Sequence, residues 1–258
     1  MEFDLEGFIR GSISLAPTPP RKCLLPLYEA VSNSIHGIQE AQTLDRQVKG
    51  EIEITIRRDA RQDVLRAGDH KVDLCPVDGF DIRDNGIGFN TPHFDSFNTA
   101  FSQLKRHLGA KGRGRFMWLK VFARASVESI LEEHGKLLQR GFAFTIERSS
   151  EGGQTPATTP DGAKRMTLIK LERMRKPFKD HCPKHPEAIA GHLVRRFVEF
   201  LALPGSPTMT LIDPGTTSIN LNDWFKNLNV KATQTAFKVN EKDFSIKHML
   251  LTTPAINN

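Results

Sequence analysis

Cysteine is scarce: Cys23, Cys75 and Cys182 are the only three in 258 residues. An odd number at such wide spacing argues against a disulfide framework and for reduced thiols. Long apolar runs are missing too. None reaches the roughly 20 residues that a membrane-spanning helix needs, so no membrane partner is expected. Glu2, Asp4 and Glu6 put acids where a signal peptide carries bases, and the expected compartment is the cytoplasm. No G-x-x-x-x-G-K-[ST] stretch occurs, which excludes a P-loop, and there is no internal repeat.

What is present is the composition of a soluble globular protein, with 38% apolar and 26% charged residues. The length supports a real core, in one large domain or two small ones. Lys and Arg number 36 against 30 Asp and Glu, and the net charge of +6 favours anionic ligands, a nucleoside triphosphate or nucleic acid. The basic residues gather in 105–115 and 170–184. Such runs also make ordinary solvated faces.

In chain order, residues 1–22 contain Pro17, Pro19 and Pro20, which exclude a long helix and suggest an arm leading into the domain. Leu24, Leu27, Tyr28, Val31, Ile35 and Ile38 recur at helical spacing and predict a buried stripe. Ile52, Ile54 and Ile56 alternate with polar residues, as in a strand with one wet face. Residues 58–75 read as a polar connection, and 90–110, with Phe94, Phe97 and Phe101 among Ser, Thr and Asn, as a mobile cover. Residues 116–122 predict a buried helix, and 127–132, 141–148 and 165–171 successive strands. Ile189, Leu193, Phe197, Phe200 and Leu201 mark an amphipathic helix ending before Pro204. Short strands come next, near 208–212 and 218–221, joined by a turn at Asp213, Pro214 and Gly215. Asn222 or Asp223 is then placed to cap a brief helix. Beyond residue 229 the only pattern is a strand near 244–250.

Three stretches carry candidate chemistry. Glu29 and Asn33 are four apart on the polar face of the first helix, with His36 one turn on; an ordinary surface helix can look the same. Asp84 ends a strand-like segment and is followed by Gly86 and Gly88. This is either a surface turn or a carboxylate facing a pocket, where it can accept from an exocyclic amine while the glycines let backbone approach a ligand. Lys111, Gly112, Arg113, Gly114 and Arg115 precede the apolar helix. They form either a flexible basic loop or an anion cradle built from free N–H groups and cations. His181, Cys182, His185 and His192 match no standard zinc spacing.

Taken in order, Glu29-x-x-x-Asn33, Asp84-x-Gly86-x-Gly88, the Lys111–Arg115 cluster and the later strand holding Thr167 resemble the nucleotide site of the GHKL ATPase superfamily. This superfamily includes gyrase, heat-shock chaperones, MutL, MORC proteins and histidine kinases. The resemblance spans about residues 24–171. It implies an α/β two-layer sandwich of the GHKL (Bergerat) type, a mixed sheet covered by helices on one face. It also implies an arm at residues 1–22, the ATP-binding domain at 23–228, and a linker or the start of a transducer-like domain at 229–258.

ATP and Mg²⁺ are the implied substrate and ion. Asn33 would bind Mg²⁺, Glu29 would activate water, and Asp84 with Thr167 would read adenine. Gly86 and Gly88 would approach the nucleotide, and Lys111, Gly112, Arg113, Gly114 and Arg115 would hold the phosphates beneath a lid at 90–110. The resemblance further implies a nucleotide-dependent homodimer acting on a nucleic acid or protein client. Glu29 favours hydrolysis over phosphotransfer. His36 stands where several branches carry aspartate. The competing readings are a non-hydrolysing nucleotide-gated module and a nucleic-acid-binding protein that relies on its basic clusters.

Overall fold

A computed structural model describes residues 5–59, 74–98, 114–146, 151–153, 155–159 and 161–252. The helices are α1 (Leu5–Ser12), α2 (Leu25–Leu44), α3 (Thr91–Asn98), α4 (Gly114–Val121), α5 (Lys176–Lys179), α6 (Pro186–Arg196), α7 (Val198–Leu201) and α8 (Leu221–Lys226). A 3-10 turn at Pro20–Leu24 leads into α2. The strands are β1 (Glu51–Arg58), β2 (Val77–Asp84), β3 (Phe122–Glu133), β4 (Lys136–Phe144), β5 (Glu151–Gly152), β6 (Ala157–Thr158), β7 (Met166–Met174), β8 (Thr208–Asp213), β9 (Thr217–Asn220), β10 (Asn229–Val239) and β11 (Lys242–Thr252).

The main sheet runs β5-β4-β3-β7-β2-β1-β8-β9, with β6 also on β4. Only the β1–β8 pair is parallel among the described strands, so the sheet is mixed. Alternation assigns its two faces. Ile52, Ile54, Ile56, Phe80, Ile82, Ile169, Leu171, Val127 and Leu211 are buried on one face, where α2, α4 and α6 pack. The other face carries cross-strand ion pairs: Arg57 with Asp81 and Glu172, and Lys170 with Glu128. This is a mixed α/β architecture with helices over one face of the sheet, as expected.

Helix α2 is the central element of the covering layer. Its 20 residues span about 30 Å, and Leu27, Val31, Ile35 and Ile38 are fully buried. Pro26 sits in its first turn, where a missing N–H leaves no bond unmade.

Several expectations shift. Residues 1–22 contain α1, whose Phe8 meets Phe116 edge-on at 5.0 Å and whose Ile9 is buried. Pro17, Pro19 and Pro20 lie beyond the end of this helix at Ser12, so they limit its length without preventing it. The strands expected at 127–132 and 141–148 are a hairpin, with His134 and Gly135 both at positive φ in a two-residue turn. The helix at 186–201 breaks at Phe197, whose φ of −110° and ψ of 19° leave the helical region. Asn220, rather than Asn222 or Asp223, caps α8 by accepting from both of their N–H groups. Asn222 instead accepts from Met209 N at 2.8 Å. Residues 229–252 form a two-stranded hairpin rather than a single strand. No helix among the described residues is long and apolar enough to cross a membrane.

Candidate functional site

The site is built where β2 ends against α2. Asp84 closes β2, 5% exposed, and lies in register with Thr167 of β7, which is 4% exposed. Burying a carboxylate is costly unless donors meet it. Ser34 of α2 donates to Asp84 Oδ2 at 2.7 Å, and the Gly86 N–H donates to Oδ1 at 2.9 Å. Glu29 and Asn33 are half-buried positions of the same helix, one turn apart, and Asn33 directly precedes Ser34.

The glycine turn is set by the protein's own backbone. A Cβ on Gly86 would lie 2.7 Å from Gly37 C and 2.8 Å from Ile38 N, so the turn can dock on α2 only without a side chain. The Ile87 N–H completes the contact by donating to Gly37 O at 3.0 Å. Gly88 has φ +83°, and a Cβ there would meet Leu131 Cβ at 2.9 Å and Ser129 Oγ at 3.0 Å. Packing on α2 and β3 by itself requires a glycine at both positions.

Ser129 of β3 ties the next layer together. Its Oγ accepts from Phe89 N–H at 2.9 Å, donates to Met166 O at 3.1 Å and lies 3.4 Å from Thr167 Oγ1. Asn85 fastens the turn outward, accepting from Glu51 N at 2.9 Å and donating to Lys49 O at 2.7 Å. His93 of α3 then bridges elements: Nδ1 is 3.3 Å from Gly88 O, and Nε2 is 3.1 Å from Glu40 of α2.

Helix α3 covers the region firmly. Asn90 caps it by accepting from His93 N at 3.0 Å, and Glu133 accepts from Thr91 N at 2.6 Å. That bond, before any other influence, pulls the Glu133 carboxyl below its ordinary value. Phe94 and Phe97 pack on Phe142, and Phe97 also lies against Trp118 and Phe144. Beneath them Arg140, 1% exposed, places its guanidinium 4.6 Å over the Phe94 ring and donates to Thr91 Oγ1 at 3.0 Å. The reading of 90–110 as a mobile cover is therefore corrected for α3, which aromatic packing anchors; residues 99–110 lie outside the described ones.

Lys111, Gly112 and Arg113 also lie outside the described residues. Gly114 begins α4. Arg115, expected to hold phosphates, packs against aromatic rings. Its guanidinium sits 4.6 Å over Phe116 and 5.2 Å over Phe97, donates to Ser96 O at 3.3 Å, and burial pushes its pKa down to about 10. It fastens α3 to α4.

Among the described residues no group of three or more His, Cys, Asp and Glu could hold a metal, and this includes His181, Cys182, His185 and His192. Burial raises the Cys182 thiol well above its usual range. The sheet face opposite the helices has a shallow trough of about 480 Å³ lined by Arg57, Arg124, Ser126, Glu128, Gly141 and Lys170. Most of its charged groups are already paired with one another.

No protein-family model matches the chain, and no curated protein matches it. Sequence reasoning singled out Glu29, Asn33, Asp84 and Thr167 as candidates but not Ser34, Gly37, Ser129 and His93, which hold the Asp84 turn and its neighbours in place. Ser34 adjoins the recognised Asn33, yet its partner is 50 residues away. Ser129 left one signal, a lone hydroxyl at an inward position of an apolar alternation.

Proposed function

We propose that this chain is a GHKL-type domain that binds ATP with Mg²⁺, hydrolyses it, and couples lid closure and homodimerisation to work on a client. One observation carries the reading. Asp84 is a carboxylate buried at a strand end, held by Ser34 and Gly86, directly opposite Thr167 and beside the helix that bears Glu29 and Asn33.

Asp84 accepts the adenine exocyclic amine, and Thr167 with Ser129 keeps the base edge in a polar frame. Glu29 orients or deprotonates the attacking water as general base. Asn33 offers a neutral amide oxygen, a hard donor suited to Mg²⁺, whose place needs no carboxylate cluster because phosphates and waters complete its shell. When bound, the ion neutralises charge on the phosphates. Gly114 at the head of α4, with Lys111, Gly112 and Arg113 before it, supplies N–H groups and cations for the phosphates.

Titration calorimetry of ATP and a non-hydrolysable analogue, with and without Mg²⁺, on wild type and Asp84→Asn tests this. Losing a charged acceptor costs about 1.5–3 kcal/mol, so the variant should bind at least about tenfold more weakly while retaining its circular dichroism spectrum. Equal affinity in the two proteins, or no binding by folded wild type, would remove ATP from the reading. Binding without turnover would leave a nucleotide-gated module.

A further inference from the structure

Where α4 passes into β3 and β7 runs out toward α5, a group of cations gathers outside the nucleotide site. The start of β3 pairs with the end of β7, with Phe122 opposite Met174 and Arg124 opposite Glu172. Regular alternation would bury every second residue, yet each strand has two outward residues in succession here. Ala123 and Arg124 lie between buried Phe122 and Ala125, and Glu172 and Arg173 between buried Leu171 and Met174. Arg124 and Arg173 are therefore both exposed, on neighbouring strands about 4.8 Å apart. Arg175 N–H donates to Val121 O at 2.8 Å and its Nε to Leu119 O at 3.3 Å, which ties the exit of β7 to the last turn of α4, where Lys120 sits. Lys176, also exposed, follows Arg173 by three residues, at most about 11 Å along the chain.

Ion pairing does not account for these cations. In the basic run at 170–184, Lys170 is paired with Glu128, and Lys179 with Asp59 and Asp78. Glu172 is the carboxylate next to Arg173, but Arg57 holds its Oε1 at 3.0 Å and Arg124 stands 3.8 Å from Oε2. No carboxylate among the described residues pairs with Lys120, Arg173 or Lys176. Lys120 and Arg175 complement the dipole at the end of α4; Arg124, Arg173 and Lys176 lie outside that turn.

Arg173 also has a φ of +57°, a left-handed conformation that costs a long side chain free energy and costs glycine none. Such strain persists where function uses it. Here it accompanies the second outward position, which displays a guanidinium beside Arg124. The patch bears no exposed large apolar side chain: Leu44, Leu203, Phe237, Val239, Phe244 and Ile246 all lie on other elements. A bilayer surface or the centre of a protein interface requires apolar contact, whereas a phosphate backbone is met by charge and arginine forks alone.

We propose that Arg124, Arg173 and Lys176 bind the phosphodiester backbone of a nucleic acid, each side chain taking a phosphate. The contact acts without base readout and does not depend on the nucleotide-site reading.

The test is fluorescence anisotropy with labelled DNA and RNA duplexes of about 20 base pairs, at salt from about 50 to 200 mM, on the full chain. The proteins are wild type, Arg173→Gly, the Arg124→Ala/Lys176→Ala double variant, and Lys136→Ala/Lys242→Ala as a control that removes two exposed cations from other elements. All substituted side chains are exposed, and thermal melting followed by circular dichroism checks the fold of each protein.

Each phosphate contact on duplex DNA contributes about 0.9 to the slope of log affinity against log salt, so Arg173→Gly should lose about 0.9 of slope and the double variant about 1.8, while the control keeps the wild-type value. Arg173→Gly should do so with a melting midpoint no lower than wild type, because glycine takes the positive φ without strain. A structural role would give the reverse, a lower midpoint with an unchanged slope. Binding with these losses supports the proposal, and the tighter duplex identifies the source as DNA or RNA. No binding of either duplex, a slope unchanged in both variants, an equal loss in the control, or binding only to anionic phospholipid vesicles would overturn it.

Discussion

Asp84 and Thr167 stand directly opposite each other across the antiparallel β2–β7 pair, both buried on the face that the helices cover. Thr167 in turn faces Ser129 across the β7–β3 pair. Three neighbouring strands thus contribute one inward polar group each to a patch of sheet that is otherwise Ile, Leu, Val and Phe. Ser34 closes this patch from the helix layer. Ser34→Ala should cost about 1–3 kcal/mol, because Asp84 Oδ2 loses its buried donor. Urea denaturation measures it; a midpoint equal to wild type would show that Ser34 does not hold the carboxylate.

The glycines divide by environment. Gly86→Ala drives a methyl into the α2 backbone and should destabilise by at least about 1–3 kcal/mol. Gly141 sits mid-strand on the open face, where a Cβ would approach only Val127 O, at 3.9 Å. Gly141→Ala should stabilise by about 0.4–1 kcal/mol by restricting the unfolded chain. Thermal denaturation of the two variants should move in opposite directions, and a shared direction would contradict the packing described for Gly86.

Arg140 is a buried cation holding the cover helix from below. Arg140→Ala removes its contact with Phe94, leaves Thr91 Oγ1 without this donor, and opens a cavity. About 2–4 kcal/mol of stability should be lost. Amide exchange over 91–98 should accelerate more than that over β1 and β2; uniform acceleration would mean that Arg140 supports the whole core rather than α3.

Acid should loosen the same helix. The carboxyl of Glu133 is held below its ordinary value, chiefly by the Thr91 N–H. A lowered folded-state pKa contributes stability that is fully present above the unfolded value and is lost as pH falls through the folded one. Protection of α3 amides should therefore be flat near neutrality and fall once the pH drops below the ordinary glutamate value of about 4.3. Glu133→Gln should abolish that fall, and a variant with the wild-type profile would assign the transition to another group.

On the proposed chemistry, Glu29→Gln should keep ATP affinity within about threefold and reduce turnover by a factor of about 100 or more, as expected for loss of a general base. Single-turnover hydrolysis provides the readout. Wild-type turnover would exclude Glu29 from the mechanism.

Local pattern was enough to place α2 through its apolar spacing, β1 through Ile52, Ile54 and Ile56, the Asp84 strand end with its glycine turn, and the strand that carries Thr167. Each of these is set by interactions within a few residues, where periodicity reports burial directly. The β3–β4 turn at His134 and Gly135 and the Asn220 cap are also local, but their residues compete with other turn and cap choices nearby. Only the tertiary structure brought Ser34 to Asp84, Ser129 to Thr167 and Gly86 to the α2 backbone, because sheet order and helix docking join residues that chain spacing keeps apart. It also placed the Arg115 guanidinium over the Phe97 and Phe116 rings. A guanidinium reads as a surface charge in one dimension, and its burial is decided by the aromatic rings that other elements bring around it.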